Sequence, residues 1–167
     1  MSKEKKKTSK LLSWMKLKEK RELWRNLGET VVFTNGCFDV LHAGHVLLLE
    51  KAKETGDKLV VALNSDESVN RIKGRNHPVR SEKERVEVIA GLTCVDNIVV
   101  FGQDDPLEIV KLIEPDVLIK GGDWKVENII GSDVVKAGGG EVKVIPLLKG
   151  KSTTSLVERI KRRRKEE

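Results

Sequence analysis

The chain has few aromatic side chains and no tyrosine, since three Trp and three Phe residues make up 4% of its 167 residues. Proteins that bind single-stranded nucleic acid stack bases on aromatic rings, and this chain offers little surface for that purpose. The formal net charge of +6 does not alter this, because residues 1–10 carry +4 and residues 158–167 carry +3. The body of the chain is nearly neutral, and we interpret the basic ends as solvated tails. Contact of these tails with nucleic acid or an acidic partner is the alternative.

Cysteine is scarce as well, and long apolar runs are missing. Cys37 and Cys94 lie in separate segments without C-x-x-C spacing, which indicates neither a disulfide framework nor a zinc site. No segment approaches the roughly 20 apolar residues of a membrane span, and the Lys-rich N-terminus lacks the apolar core of a signal peptide. We therefore expect a cytoplasmic protein without a membrane partner. The first apolar run is not followed by G-x-G-x-x-G, which argues against a dinucleotide-binding site.

The chain does contain an alternation of short apolar, β-branched runs with segments of helical periodicity. The apolar runs are 31–34, 59–63, 98–101, 117–119 and 142–145, and the helical segments are 43–55, 81–92, 105–113 and 126–137. Such alternation predicts crossover connections and a parallel sheet. Four of the five runs are almost entirely apolar, which is typical of strands covered on both faces. We expect an α/β fold, with a Rossmann-like open parallel sheet of about five strands and helices on both faces.

The remaining residues suggest how the chain is divided. Residues 11–28 have apolar side chains at near-helical spacing and end at Gly28, which predicts an additional N-terminal helix docked on the domain. Residues 1–10 are expected to form a disordered basic tail, residues 29–160 the main domain, and residues 161–167 a charged C-terminal tail. A chain of this length fits one such domain.

A dense motif follows the first expected strand. It runs Thr34, Asn35, Gly36, Cys37, Phe38, Asp39, Val40, Leu41, His42, Ala43, Gly44, His45. Ligands of open parallel sheets bind beyond the carboxyl ends of the strands, so this motif stands at the predicted binding edge. His42 and His45 share one face of the helix that begins here, and Gly44 lets a phosphate or base approach the backbone. Because a helix N-terminus offers unpaired N–H groups, the motif predicts a site for anionic oxygens.

The histidine pair has two other interpretations, a plain surface pair and a metal site. A pair at this spacing also occurs on plain surfaces and in metal sites. No third His, no Cys pair and no trio of carboxylates lies nearby in the sequence to complete a zinc site. The position of the pair directly after a buried strand favours phosphate binding.

The pattern Gly-x-Phe-Asp-x-x-His-x-Gly-His at residues 36–45 resembles the signature of the cytidylyltransferase-like nucleotidyltransferases. A hydroxyl-rich segment near the C-terminus is similar to the family's second nucleotide signature, with an ordinary helix N-cap as the alternative. Its residues are Ser152, Thr153 and Thr154. Within the family, residues 117–124, 130–133 and 139–142 resemble the heptose 1-phosphate adenylyltransferase subgroup. The resemblance covers roughly residues 30–160 and implies the HxGH nucleotidyltransferase fold for the main domain.

The resemblance also implies an activity, which is transfer of AMP from ATP to a heptose 1-phosphate. The products would be ADP-heptose, a precursor of the lipopolysaccharide core, and pyrophosphate. Mg²⁺ would accompany ATP and be held mainly by the triphosphate, so no protein metal ligand is predicted. The enzyme would be a homodimer. A sugar kinase is often fused to members of this subgroup and is absent from these 167 residues, so we expect a stand-alone arrangement.

Site residues are carried over from the family position by position. The catalytic candidates are His42, His45, Lys73 and Arg85, the last two as phosphate-binding cations, although either could be an ordinary surface charge. The nucleotide-binding candidates are Thr34, Gly36, Cys37, Phe38, Asp39, Gly44, Lys120, Gly121, Ser152, Thr153 and Thr154. The acceptor-binding candidates are Asp123 and Trp124. We expect Asp39 to orient the histidine motif or the water shell of the metal rather than to act as a base.

Two alternative functions stay open at the level of sequence. One is a related nucleotidyl transfer, either by a cytidylyltransferase acting on glycerol or ethanolamine phosphate or by a cofactor adenylyltransferase. The other is a nucleic-acid-binding module that uses the basic tails, against which the neutral body and the few aromatic residues argue. The stereochemistry of the sugar depends on side-chain placement, which residue spacing does not give.

Overall fold

The computed structural model describes residues 9–146, which contain a five-stranded sheet with all strands parallel. The strands are β1 (Val31–Gly36), β2 (Lys58–Asn64), β3 (Asn97–Phe101), β4 (Val117–Gly121) and β5 (Glu141–Ile145). Their order across the sheet is β3-β2-β1-β4-β5. The chain moves outward from β1 to β3 and then crosses to the other side for β4 and β5, so the topological switch point lies between β1 and β4. The predicted α/β fold with five parallel strands is confirmed.

Helices make the connections between the strands. They are α1 (Trp14–Asn26), α2 (Ala43–Lys53), α3 (Asp66–Lys73), α4 (Glu82–Ala90), α5 (Leu107–Ile113) and α6 (Ser132–Ala137), with a short 3-10 helix at Val126–Asn128. Each predicted helical segment contains a helix, but α3 was not predicted. It buries little apolar surface beyond Val69, and its start is fixed by the Ser65 hydroxyl, which accepts from the Ser68 N–H at 3.2 Å. Within residues 9–146, no helix has the length and apolar character needed to cross a membrane.

The sheet is buried on both faces. One face packs against α2 and α4 through Leu49 and Ile89, and the other packs against α1, α5 and α6 through Leu17, Ile109 and Val135. Successive strand residues point to opposite faces, so strands covered on both sides are apolar throughout. The exception among the predicted runs is β5, an edge strand whose residues alternate between exposed and partly buried.

The N-terminal segment covers the free edge of β3. The N–H of Leu12 donates to the carbonyl of Ile98 at 2.9 Å, and the N–H of Ile98 donates to the carbonyl of Lys10 at 2.8 Å. The indole N–H of Trp14 donates to the carbonyl of Val100 at 2.8 Å. These bonds satisfy groups that an exposed edge strand would leave unpaired. Helix α1 then occupies residues 14–26 of the predicted segment 11–28.

A buried arginine fixes α1 to the end of α5 and the start of β4. The Nε–H of Arg21 donates to the carbonyl of Ile113 at 2.9 Å, and its Nη2 donates to the carbonyl of Glu114 at 2.8 Å and to Asp116 at 2.9 Å. The second carboxylate oxygen of Asp116 accepts from the N–H of Val31 at 2.7 Å. One ion pair therefore joins α1 to the starts of the two central strands that carry the site described below.

We expect Arg21→Met to lower the free energy of unfolding by about 3 kcal/mol, because it leaves Asp116 and the carbonyls of Ile113 and Glu114 without the buried guanidinium. Arg25→Met is the matched control, because Arg25 is exposed on the same helix and pairs with Glu114 at 2.9 Å. The control should change the free energy of unfolding by less than about 0.5 kcal/mol. Urea denaturation of both variants measures the difference, and equal losses would contradict the assigned role of Arg21.

Candidate active site

A cavity of about 170 Å³ opens at the carboxyl ends of β1 and β4, at the switch point of the sheet. Helix α2 and the last residue of α3 form its other walls. The lining residues are Asn35, Gly36, Cys37, Phe38, Asp39, His45, Leu48, Lys73, Lys120 and Gly121. Most of these residues belong to the motif after the first strand, and Lys73, Lys120 and Gly121 come from distant parts of the sequence.

The two histidines of the motif lie face to face at the start of α2. Their rings are stacked, with centroids 3.8 Å apart and planes inclined by 24°. Nδ1 of His42 accepts from the N–H of Gly44 at 3.1 Å, and Nδ1 of His45 accepts from the N–H of His42 in a longer contact of 3.4 Å. A neutral imidazole that accepts at Nδ1 carries its proton on Nε2. Both rings therefore have an Nε2–H donor that the helix start does not use.

Both imidazoles are held in the neutral form. Burial lowers the pKa of His45 from 6.5 to about 4, and the neighbouring His42 and Lys73 contribute to the decrease. Burial also lowers the pKa of His42. At neutral pH the pair therefore offers hydrogen-bond donors without positive charge, and Lys73 and Lys120 supply the cations of the cavity.

Close packing shapes the turn between β1 and α2. Phe38 adopts a positive φ of 46°, and its ring centroid lies 5.2 Å from that of His45. A Cβ atom on Gly36 would lie only 2.9 Å from the Phe38 ring. A side chain at position 36 would therefore displace the ring that packs against the histidine pair, which explains the glycine at this point.

Asp39 is buried and joins the motif to the loop that follows α3. Its carboxylate accepts from the N–H of Val79 at 2.9 Å, from the N–H of Arg80 at 3.0 Å and from Nδ1 of His77 at 3.2 Å. Burial alone would raise the pKa of Asp39, but the bonds from Val79, Arg80 and His77 outweigh it, and the pKa lies below its ordinary value. The carboxylate thus holds the loop that follows α3, and its part in a reaction stays a prediction.

Arg85 lies below the cavity floor and is only 1% exposed. Its Nη1 donates to the carbonyls of Cys37 and Asn64, both at 2.8 Å, and its Nη2 donates to Asp66 at 2.8 Å. The guanidinium is thus committed to protein atoms and does not line the cavity. This differs from the prediction that Arg85 contacts phosphate, because the sequence could not show that its side chain points inward from α4.

A second, smaller cavity of about 70 Å³ adjoins the first. Asn35 and Lys120 line both cavities, and the remaining lining residues of the second are Pro106, Trp124, Asn128, Ile129 and Ile130. Trp124 is 50% exposed, and the Nζ atom of Lys120 lies 5.5 Å from the centroid of its ring. Asp123 is exposed and lines neither cavity.

The sequence of the chain matches the cytidylyltransferase-like family over residues 33–157. The chain belongs to this family. A bifunctional protein HldE from Syntrophotalea carbinolica is 51% identical over 144 residues, which is 86% of this chain and 29% of that protein. A bifunctional protein HldE from Wolinella succinogenes is 53% identical over 137 residues, which is 82% of this chain and 28% of that protein. The chain thus spans less than a third of the length of these relatives.

Solved structures agree with the family and the fold. A lipopolysaccharide core biosynthesis protein from Thermoplasma volcanium is 30% identical with a TM-score of 0.58, covering 73% of this chain and 98% of that one. A pantoate-beta-alanine ligase from Francisella tularensis is 15% identical with a TM-score of 0.62, covering 83% of this chain and 67% of that one. The second likeness concerns the fold alone. Together with the family match, these similarities confirm the resemblance on which the site residues were selected.

The structure brings together most residues selected for the site, although their roles stay predictions. Thr34 and Gly44 are buried and, like the partly buried His42, do not line the cavity. Ser152, Thr153 and Thr154 lie outside the described residues. The sequence analysis did not select several residues that line the two cavities, namely Asn35, Leu48, Pro106, Asn128, Ile129 and Ile130. Asn35 and Pro106 could have been found, because both lie where a strand ends or shortly after one.

The low pKa of His45 predicts how stability depends on pH. Between pH 6.5 and 4 the unfolded chain takes up a proton that the folded chain does not, so stability falls as the pH falls through this window. His45→Gln lacks this linkage. Because the ring is partly exposed, we expect the loss of unfolding free energy between pH 8 and pH 5 to be about 1 kcal/mol smaller in His45→Gln than in the wild type. Urea denaturation at both pH values measures it, and identical losses would contradict the neutral buried imidazole.

The position of Arg85 predicts a large effect on stability without any ligand. Arg85→Met leaves the carbonyls of Arg80, Cys37 and Asn64 and the Asp66 carboxylate without their donor and should lower the free energy of unfolding by about 3 kcal/mol. Arg85→Lys should not restore it, because an ammonium cannot reach the same four groups together. Arg80→Met, which alters an exposed side chain in the same region, should have an effect of less than about 0.5 kcal/mol. Wild-type stability of Arg85→Met would favour the phosphate role instead.

Proposed function

We propose that the chain is a nucleotidyltransferase that transfers AMP from ATP to a heptose 1-phosphate, giving ADP-heptose for the lipopolysaccharide core and pyrophosphate. The observation that carries the proposal is the pair of stacked, neutral imidazoles beside a cavity that also contains two lysine side chains. Membership of the cytidylyltransferase-like family supports the reaction type. The names of a relative, bifunctional protein HldE, and of a solved neighbour, lipopolysaccharide core biosynthesis protein, support the pathway.

In this reaction an oxygen of the sugar phosphate attacks the α-phosphorus of ATP. The new O–P bond forms as the bond to the β-phosphate oxygen breaks, and pyrophosphate leaves on the opposite side. The attacking phosphate is already ionised at neutral pH, so the step needs no general base. The protein must align two anions that repel each other and stabilise the charge on the nonbridging oxygens.

The side chains at the cavity suit these two tasks. The Nε2–H groups of His42 and His45 would donate to the transferring phosphate and the leaving pyrophosphate, as uncharged donors that need no proton transfer. Lys73 is exposed at the cavity rim and would neutralise the outer phosphates. The hydroxyl-rich segment, Ser152, Thr153 and Thr154, would add further donors to the phosphates. The nucleotide would lie against the turn formed by Gly36, Cys37 and Phe38 and against Gly121.

Mg²⁺ would enter with ATP. Among residues 9–146, no group of three or more His, Cys, Asp or Glu side chains could hold a metal ion. The carboxylate nearest the histidine motif, Asp39, already accepts bonds from Val79, Arg80 and His77. The ligands of the ion would be mainly phosphate oxygens and water.

The second cavity provides a place for the acceptor next to the nucleotide. Trp124 presents an apolar ring face and Asn128 an amide group, and a sugar is bound through both kinds of contact. We propose that the heptose ring enters this cavity while its phosphate faces the first one. Asp123, predicted to bind the acceptor, is exposed beside the cavity, so a contact between its carboxylate and the sugar would occur at the cavity entrance.

Pyrophosphate release tests the proposal. The purified chain is incubated with Mg²⁺ and either ATP or CTP, together with heptose 1-phosphate, glycerol phosphate or ethanolamine phosphate. We expect release with ATP and heptose 1-phosphate. Activity with CTP and not ATP would overturn the proposal in favour of a cytidylyltransferase, and the predicted homodimer can be checked by light scattering on the same sample.

The role of the histidines is tested by His45→Ala. Removing one donor to the transition state commonly lowers kcat by about 10²-fold or more, and we expect a loss of that size. Lys51→Ala is the control, because Lys51 is exposed near the other end of α2 and lines neither cavity. It should leave kcat unchanged. Near-normal turnover by a folded His45→Ala variant would show that the imidazole does not stabilise the transition state.

A further inference from the structure

Lys120 lies in the wall between the two cavities. It is the fourth residue of β4 (Val117–Gly121), at the carboxyl end of the strand that borders the switch point. Among residues 9–146, two side chains, those of Lys120 and Asn35, line both the larger cavity beside the histidines and the smaller cavity beside Trp124. Of these two residues only Lys120 carries a charge. Any group that joins a ligand in one cavity to a ligand in the other must pass close to this ammonium.

The ammonium of Lys120 has no anionic partner among the described residues. Two other partly buried lysines form ion pairs, Lys53 with Asp96 at 2.7 Å and Lys58 with Glu29 at 3.1 Å. No described carboxylate lies within ion-pair distance of Lys120. Its Nζ atom lies 5.5 Å from the centroid of the Trp124 ring. A half-buried cation without a partner costs free energy that a bound anion can recover.

The surroundings of the Lys120 side chain are consistent with an anion-binding site. Burial lowers the pKa of Lys120 below its ordinary value, and the nearby Cys37 opposes the change. The face of the Trp124 ring attracts an ammonium at this distance. The ring therefore favours a position of the Lys120 head group close to the boundary between the cavities, where it would meet a ligand without a large rearrangement.

We propose that Lys120 binds the phosphate of the acceptor and holds it at the boundary, with the nucleotide in the larger cavity and the body of the acceptor in the smaller one. This inference rests on the proposed function and refines it, because the sequence analysis assigned Lys120 to the nucleotide. The attacking oxygen must lie between the two substrates, and the boundary is where they meet. Lys120 thereby makes the site select acceptors that carry a phosphate, whereas Lys73 and the histidines serve the triphosphate.

The test compares Lys120→Met with Lys125→Met. Methionine keeps the length and much of the volume of the lysine stem without its charge, and Lys125 is exposed and lines neither cavity. In the pyrophosphate assay, Lys120→Met should raise the KM for heptose 1-phosphate at least tenfold and change the KM for ATP less than twofold. Lys120→Arg should recover part of the loss because it keeps the charge. Lys125→Met should behave as the wild type.

The outcomes separate this inference from the proposed function. If the wild type releases no pyrophosphate with any acceptor, the proposed function fails, and calorimetric binding of heptose 1-phosphate to the wild type and Lys120→Met still tests the inference. Weaker binding by the variant supports it, and equal binding overturns it. In an active enzyme, a Lys120→Met variant that raises the KM for ATP and leaves the KM for the acceptor unchanged overturns it as well.

Stability provides a readout independent of activity. Because Lys120 is a partly desolvated cation without an ion pair to any of residues 9–146, its replacement by methionine should leave the free energy of unfolding unchanged or increase it. A variant that is markedly less stable would show that Lys120 has a structural partner and would overturn the inference. The same urea denaturation confirms that the kinetic variants are folded.

Discussion

The buried guanidinium of Arg85 is the interaction on which the geometry of the site depends. It joins the carbonyl of Cys37, in the turn after β1, to the carbonyl of Asn64, at the end of β2. Two neighbouring parallel strands end at the same edge, but their following turns have no ladder bonds to hold them together. A single planar cation with several donors supplies that connection. Arg85 therefore fixes the turn that leads into the histidine pair, and it does so without a ligand.

A second buried charge continues this arrangement on the other side of the turn. The carboxylate of Asp39 accepts hydrogen bonds from two backbone N–H groups and from the imidazole of His77, all in the loop after α3. Lys73 is the last residue of α3. Arg85 and Asp39 thus hold the motif from two directions through hydrogen bonds to other parts of the protein. Donors at the cavity include the Nε2–H group of His45 and the side chains of Lys73, Lys120 and Asn35.

Much of the fold and part of the site could be predicted from the sequence, for identifiable physical reasons. Strands buried on both faces are uniformly apolar, so β1 to β4 were visible as runs, and the family motif located the histidine pair. Helix α3 was missed because it buries little and is fixed by a polar cap. The sequence does not predict the direction of the Arg85 side chain. Residue spacing shows which residues share a helix face, but it does not show which part of the fold that face contacts.

The topology separates the residues of the β1–α2 turn from those that follow β4. The β1–α2 turn supplies the imidazole donors and backbone N–H groups, which any nucleotidyl transfer of this kind can use. The residues on the β4 side, Lys120 and Trp124, belong to a different connection that leaves the sheet in the opposite direction. Because the switch point separates the two connections, the loop after β4 can change without disturbing the stacked imidazoles. We therefore expect selection of the acceptor on the β4 side, where the Lys120 ammonium, which has no ion pair in the described part of the chain, lies 5.5 Å from the centroid of an exposed indole ring.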